Sequence, residues 1–176
     1  MFNHDPSGGL FTSYADVGSK NPQEPDNKLF SILNQLENYR NSEGKFQYKL
    51  CYPDLTTGRD GKTCNEWIQS SNLYTDSTIT DFEAISLAFD KDSYNEDWIG
   101  LGKNSDGNDG SAIISDTPFK GNWFSAIGAK SYHGGIGKIP GPNPFPTSKV
   151  ELYALAAANS STTNGKNILH YLQRIC

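Results

Sequence analysis

Between residues 26 and 43 the apolar positions recur at Leu29, Ile32, Leu33, Leu36 and Tyr39, with Asn34, Gln35, Glu37 and Asn38 between them. Spacings of three and four place one stripe along a helix, and Leu29, Ile32, Leu36 and Tyr39 occupy the a and d positions of two heptads, with Leu33 widening the seam. Asp26 or Asn27 stands where an N-cap belongs and Gly44 follows the last turn. Before this segment, residues 1 to 25 carry Pro6, Gly8, Gly9, Gly18, Pro22 and Pro25, which predict an extended arm with Leu10, Phe11, Tyr14 and Val17 able to dock. After Gly44 the period changes to two. "KFQYKLCY" sets Phe46, Tyr48 and Leu50 on one face against Gln47 and Lys49 on the other, the pattern of a half-buried strand. "NEWIQSS", "FEAISLAF", "DWIGLG", "SAIISD", "NWFSAIGA" and "KVELYAL" read as further strands between Gly, Asn, Asp and Pro clusters.

These elements predict a mainly β chain, an antiparallel β-sandwich or jelly roll with one N-terminal amphipathic, coiled-coil-like helix. Its parts are an extended arm (1–25), the helix (26–43), the β-sandwich domain (44–155) and a C-terminal tail (156–176). Prolines keep residues 134 to 148 out of a central strand. In the tail, Ile168, Leu169, Leu172 and Ile175 fit a short helix. A helix of about 13 residues is marginal in water by itself, because nucleation costs more than so few hydrogen bonds return. Its stripe therefore needs a cover: either its own sandwich, or identical stripes meeting around an axis. Leu at a with Ile at d departs from the usual two-strand preference, so the second choice predicts a homotrimer.

A chain of 176 residues suits one core. Charged residues are 20 %, the net charge is -5 and the mean hydropathy is -0.61. Without a cluster of Lys or Arg to displace phosphate counterions, nucleic acid is not an expected partner. No apolar run approaches the roughly 20 residues of a membrane span, and "MFNHDPSGGLF" lacks the features of a signal peptide. Cys51 and Cys64 flank the turn-rich "YPDLTTGRDGKT", so they read either as a loop-closing disulfide worth roughly 3 kcal/mol or as two reduced thiols. Cys176 is left over, an interchain partner in a secreted protein or a free terminal thiol. The disulfide reading and the odd cysteine together predict an extracellular, secreted chain.

Catalytic templates are absent, and the expectation is a protein that is not an enzyme. His4, His133 and His170 form no zinc spacing. "GRDGKT" has Thr56 where a phosphate loop needs glycine, and "GLGKNSDG" has Ser105 where a dinucleotide fingerprint needs its third glycine. Two segments suit ligands. In "NSDGNDGS", Asn104, Asp106, Asn108 and Asp109 alternate as oxygen donors, the chemistry of a calcium loop or of a plain solvated turn; no cofactor beyond that calcium is suggested. Trp123, Tyr132 and His133 lie beside Gly-rich turns, where they form either a stacking face for a glycan or ordinary core, while Trp67 and Trp98, inside alternating segments, are expected in the core.

"DNKLFSILNQLENYRNSEG" followed by a cysteine strand resembles the start of the C-terminal propeptide of fibrillar collagens, over roughly residues 26 to 51. That resemblance implies a trimeric stalk with Leu29, Ile32, Leu36 and Tyr39 at its core. "FQYKLCYPDL", "CNEWIQSSN", "WIGLG", "GNWFSAIGA", "IPGP" and "KVELYAL", over about residues 46 to 155, resemble a module of extracellular mosaic proteins of sponges and cnidarians. The heptad stripe, the Cys51/Cys64 loop and the lone Cys176 lead to the expectation of an extracellular structural and assembly module of an organic matrix, with itself, matrix components or glycans as partners. A lectin-like, carbohydrate-binding module, assisted by calcium, is the second expectation.

Overall fold

The computed structural model describes residues 1–91, 97–104, 114–115, 127–129, 137–142 and 146–155. In chain order the strands are β1 (Phe2–His4), β2 (Leu29–Ser31), β3 (Phe46–Cys51), β4 (Cys64–Gln69), β5 (Glu83–Leu87), β6 (Gly102–Lys103), β7 (Ile114–Ser115) and β8 (Val150–Leu155). Six of them form one antiparallel sheet in the order β2-β1-β8-β3-β4-β5, and β6 pairs with β7 separately. Several period-two segments become strands: β3, β5 and β8 fall inside predicted stretches, β4 begins one residue before its own, and "DWIGLG" contributes only Gly102, the first residue of β6. Along β3 the alternation is literal, with Phe46, Tyr48 and Leu50 buried and Gln47 and Lys49 half-buried on the opposite face. Register carries this inner face across the sheet. Tyr48 stands opposite Trp67, Leu50 opposite both Asn65 and Leu152, and Phe2 opposite Leu152. Among the described residues no helix is long and apolar enough to cross a membrane.

The predicted helix over 26–43 does not form. Leu29–Ser31 is strand β2, and Leu33–Tyr39 is a 3-10 helix entered through Ile32 at φ -133. The sheet supplies the reason. β2 pairs with β1 over Leu29–His4, Phe30–Asn3 and Ser31–Phe2, so its backbone groups are satisfied laterally rather than along a helix. Asn27 Oδ1 accepts from Leu29 N–H and Asn21 Nδ2 donates to Leu29 O, fixing the strand entry from both sides. A 3-10 helix has three residues per turn, so Leu33, Leu36 and Tyr39 still share a face. Leu29, Ile32, Leu33 and Leu36 are at most 8 % exposed, all inside their own chain, and Tyr39 is half-buried. The arm over 1–25 is also corrected: β1 is an interior strand between β2 and β8, and Tyr14–Gly18 is a short α-helix, α1.

The core centres on Trp67, which packs against Tyr48 at 5.4 Å and edge-on to Trp98 at 5.3 Å. Trp67 and Trp98 are core residues, as their alternating segments predict. Gln69 ties the sheet to the chain after Trp98. Its Oε1 accepts from Trp67 Nε1 and Leu101 N–H, and its Nε2 donates to Ser71 O and Leu101 O. Gly100 makes this approach possible: it sits at φ +98, and a Cβ there would lie 2.6 Å from Gln69 Oε1.

Candidate functional site

Cys51 and Cys64 close the most definite of the predicted features. Each stands at the end of its strand, directly opposite the other in the β3–β4 ladder, with a Cα–Cα distance of 4.1 Å, and they form a disulfide. Both lie in the row that continues Gln47, Lys49, Glu66 and Ile68, the face turned away from the core. The bridge therefore staples two neighbouring strands and closes the 52–63 turn without occupying core volume. Arg59, in that turn, reaches Asp90 in an ion pair, and its N–H donates to Ala88 O, so the turn is also tied to the end of β5.

The stripe residues Leu29, Ile32, Leu33, Leu36 and Tyr39 do not converge on an open surface. Leu29, Leu33 and Leu36 belong to the same buried cluster as Phe2, Phe46, Tyr48 and Trp67. The polar side of the 3-10 helix is equally engaged. Glu37 accepts from Asn72 Nδ2 and pairs with Arg40, which lowers the Glu37 carboxyl below its usual range. Arg40 also donates to Ser70 O and Gly44 O, and its guanidinium lies 4.1 Å over Phe46. Trp123, Tyr132 and His133, the expected glycan face, lie outside the described residues, as do Asp106, Asn108, Asp109, Cys176 and the whole tail from 156. Asn104, alone of the four calcium candidates, is described and is half-buried. Among the described residues no group of three His, Cys, Asp or Glu is placed to hold a metal.

Sequence reasoning missed a cleft where β2, β1 and β8 meet on the outer face. Asn3 of β1 stands between Phe30 of β2 and Glu151 of β8 in register, and the 25–26 turn overhangs the row. The opening has a volume of about 90 Å³. Along β8, Lys149 Nζ lies 2.7 Å from Glu151 Oε1 and Tyr153 OH donates to Glu151 Oε2 at 2.8 Å, so three residues two apart form one polar ridge. Asn3 Nδ2 donates to Asn27 O at 2.8 Å, whereas its Oδ1 is buried without a hydrogen-bond partner. No local motif announces such a site, because its walls come from positions near 3, 26, 30 and 151.

On the other side of the sheet the polar surprise is His4. It is fully buried, edge-on to Phe11 at 5.0 Å, with Nε2 against Gly9 O at 3.2 Å and Nδ1 unpartnered. Burial holds its pKa down at about 4. The aromatic enclosure gives it packing chemistry, and the Asp5 carboxylate and the Gly9 carbonyl only partly offset the effect of burial. Tyr14 and Tyr74 make a half-buried pair, stacked at 4.4 Å with mutual hydroxyl-to-carbonyl hydrogen bonds. Set beside known proteins, the chain matches no family model, and no curated protein or solved structure matches it at a significant level.

Proposed function

We propose that this chain is a structural module of an extracellular matrix, a disulfide-stapled β-sandwich that assembles with matrix components. The observation that carries the reading is the Cys51–Cys64 bridge between adjacent strands. Structural disulfides persist in oxidising compartments and are rare in the cytosol, where thiol buffers reduce them. The resemblance of residues 46 to 155 to a module of extracellular mosaic proteins supports the same placement. A two-layer sandwich is part of the proposal, supported by Leu101, Ile114, Ile127 and Ile139, which share one buried cluster with the inner face of the six-stranded sheet. Homotrimerisation through Leu29, Ile32, Leu33, Leu36 and Tyr39 is not part of it, since the chain uses that stripe for its own core.

The test is where the native protein resides and how it is held. We expect it outside the cell, in the fraction that stays with insoluble matrix through salt and detergent washes and is released by denaturant. Recovery from cytosol would overturn the proposal.

A further inference from the structure

The two edges of the six-stranded sheet are finished differently. β2 is closed along its free side: Lys20 N–H donates to Ser31 O at 2.9 Å, Ser31 N–H donates to Lys20 O at 2.8 Å, and Asn21 Nδ2 donates to Leu29 O at 2.7 Å. β5, at the other edge, is paired with β4 and with no second strand among the described residues. Glu83, Ala84 and Ile85 are exposed there. An edge strand offers its outer N–H and C=O groups to any strand of matching register, and β5 carries neither proline nor lysine to discourage one. Ile85 and Ile99, at 47 % each, are the exposed large apolar side chains among the described residues, and both belong to this margin. Ile85 is in β5 itself, and Ile99 precedes Gly100, which lies against Phe82 just before β5. We infer that β5 is the contact through which two copies of this chain associate, edge to edge and antiparallel, as a weak dimer.

The bulge in β5 selects a second copy over an unrelated strand. Glu66 pairs with Ser86 and Trp67 with Ala84, so Ile85 is an extra residue in the ladder. A straight strand laid along β5 would slip by one residue at Ile85 and turn its side chains to the wrong face beyond it. Two copies related by a two-fold axis each bring one extra residue, and the slip cancels. Charge then fixes the register. Glu83 stands opposite Ile68 and Ser86 opposite Glu66, so both belong to the outer face of the sheet. Matching faces sets Glu83 of each copy opposite Ser86 of the other. Lys62 ends at that position, its Nζ 3.1 Å from Ser86 Oγ, on the turn that the Cys51–Cys64 bridge closes. Each Glu83 carboxylate therefore meets the other copy's Lys62 ammonium, twice across the axis, whereas a parallel arrangement in register would set Glu83 against Glu83. Size sets the strength. Five residues a side fall well short of the ~800 Å² per partner of a stable interface. The dimer accordingly dissociates at about a millimolar, and at the micromolar concentrations of a thermal melt the chain is monomeric with a Tm independent of concentration. This contact goes beyond the matrix role and does not depend on it.

The experiment is a dilution series of the isotope-labelled full chain from about 2 mM to about 0.05 mM, read by amide chemical shifts and rotational correlation time. We expect the amides of Lys62, Glu83, Ala84, Ile85 and Ser86 to shift along one concentration curve while the correlation time rises toward twice the monomer value. Ile85→Lys should abolish the dependence. Glu83→Lys and Lys62→Glu, at exposed positions, should each weaken association about tenfold, because each replaces two opposite-charge pairs with two like-charge ones. An equimolar mixture of those two variants should recover the parental association, since each then faces its opposite charge; this arm serves if Ile85→Lys fails to fold. The inference is overturned if the parent shows no concentration dependence across the series, if the dependent amides lie away from β5, if Ile85→Lys folds and associates unchanged, or if the mixture associates no better than either variant alone.

Discussion

Leu36→Ala separates the two uses to which the N-terminal stripe could be put. Leu36 is fully buried within its own chain, in one cluster with Phe46, Tyr48 and Trp67. Truncating such a leucine loses its transfer free energy and leaves a cavity, together about 2–5 kcal/mol. In a chain of 176 residues a loss near 3 kcal/mol lowers Tm by about 6–12 °C. Gln35, exposed on the same 3-10 helix, supplies the control, since Gln35→Ala should stay within about 0.5 kcal/mol of the parent. Calorimetric melts of all three proteins, each at low and high concentration, give the assay. Intrachain burial predicts a large drop for Leu36→Ala, almost none for Gln35→Ala, and Tm values independent of concentration throughout. A parent Tm that climbs with concentration, beside a Leu36→Ala protein that keeps its fold but loses that dependence, would refute the reasoning and restore the stripe to an intersubunit seam.

Removing the staple as Cys51→Ser with Cys64→Ser should cost about 3 kcal/mol by loop-closure entropy for a sequence separation of 13, read as a lower urea midpoint. The far-ultraviolet circular dichroism of that variant should stay intact, because the β3–β4 ladder is paired along its whole length without the bridge. Gln69→Leu should cost about 3 kcal/mol in the same assay, since it strands the Trp67 indole N–H and the Leu101 N–H together. Gly100→Ala should cost more than about 1 kcal/mol, because it adds a side chain at positive φ against the same carboxamide. His4 makes stability depend on pH. Its folded pKa of about 4 lies below its ordinary 6.5, so between those values the unfolded chain binds the proton and the folded chain does not. Stability is therefore retained above pH 6.5 and falls as pH drops toward 4, by about 3 kcal/mol at most. His4→Phe should flatten that limb of the pH profile, and an unchanged profile would contradict the burial argument.

The strand segments were legible wherever one face is buried and the other is not. Phe46, Tyr48 and Leu50 announce β3 because every second side chain meets the core, and Trp67 announces β4 for the same reason. The stripe misled for a physical reason. Spacings of three and four satisfy a 3.6-residue helix, yet Leu33, Leu36 and Tyr39 are each three apart and satisfy a 3-10 helix equally well, while Leu29 belongs to a strand. Pairing with β1 decided the outcome, and β1 itself was hidden. Three residues, Phe2–His4, are too few to show alternation, and its buried histidine reads as polar. The disulfide was legible as one of two alternatives from the turn between its cysteines. The cleft was not, because register brings Asn3, Phe30 and Glu151 together and no local pattern encodes register between strands so far apart in the chain.

The proposal that this chain works outside the cell leans on the Cys51–Cys64 bond. Alkylation of native protein with one reagent before reduction and a second reagent after it, followed by peptide mass mapping, tests that bond directly. The account predicts that Cys51 and Cys64 carry only the second label and that a Cys51–Cys64 cross-linked peptide is recovered from unreduced digests. First label on both residues in natively isolated protein would contradict it.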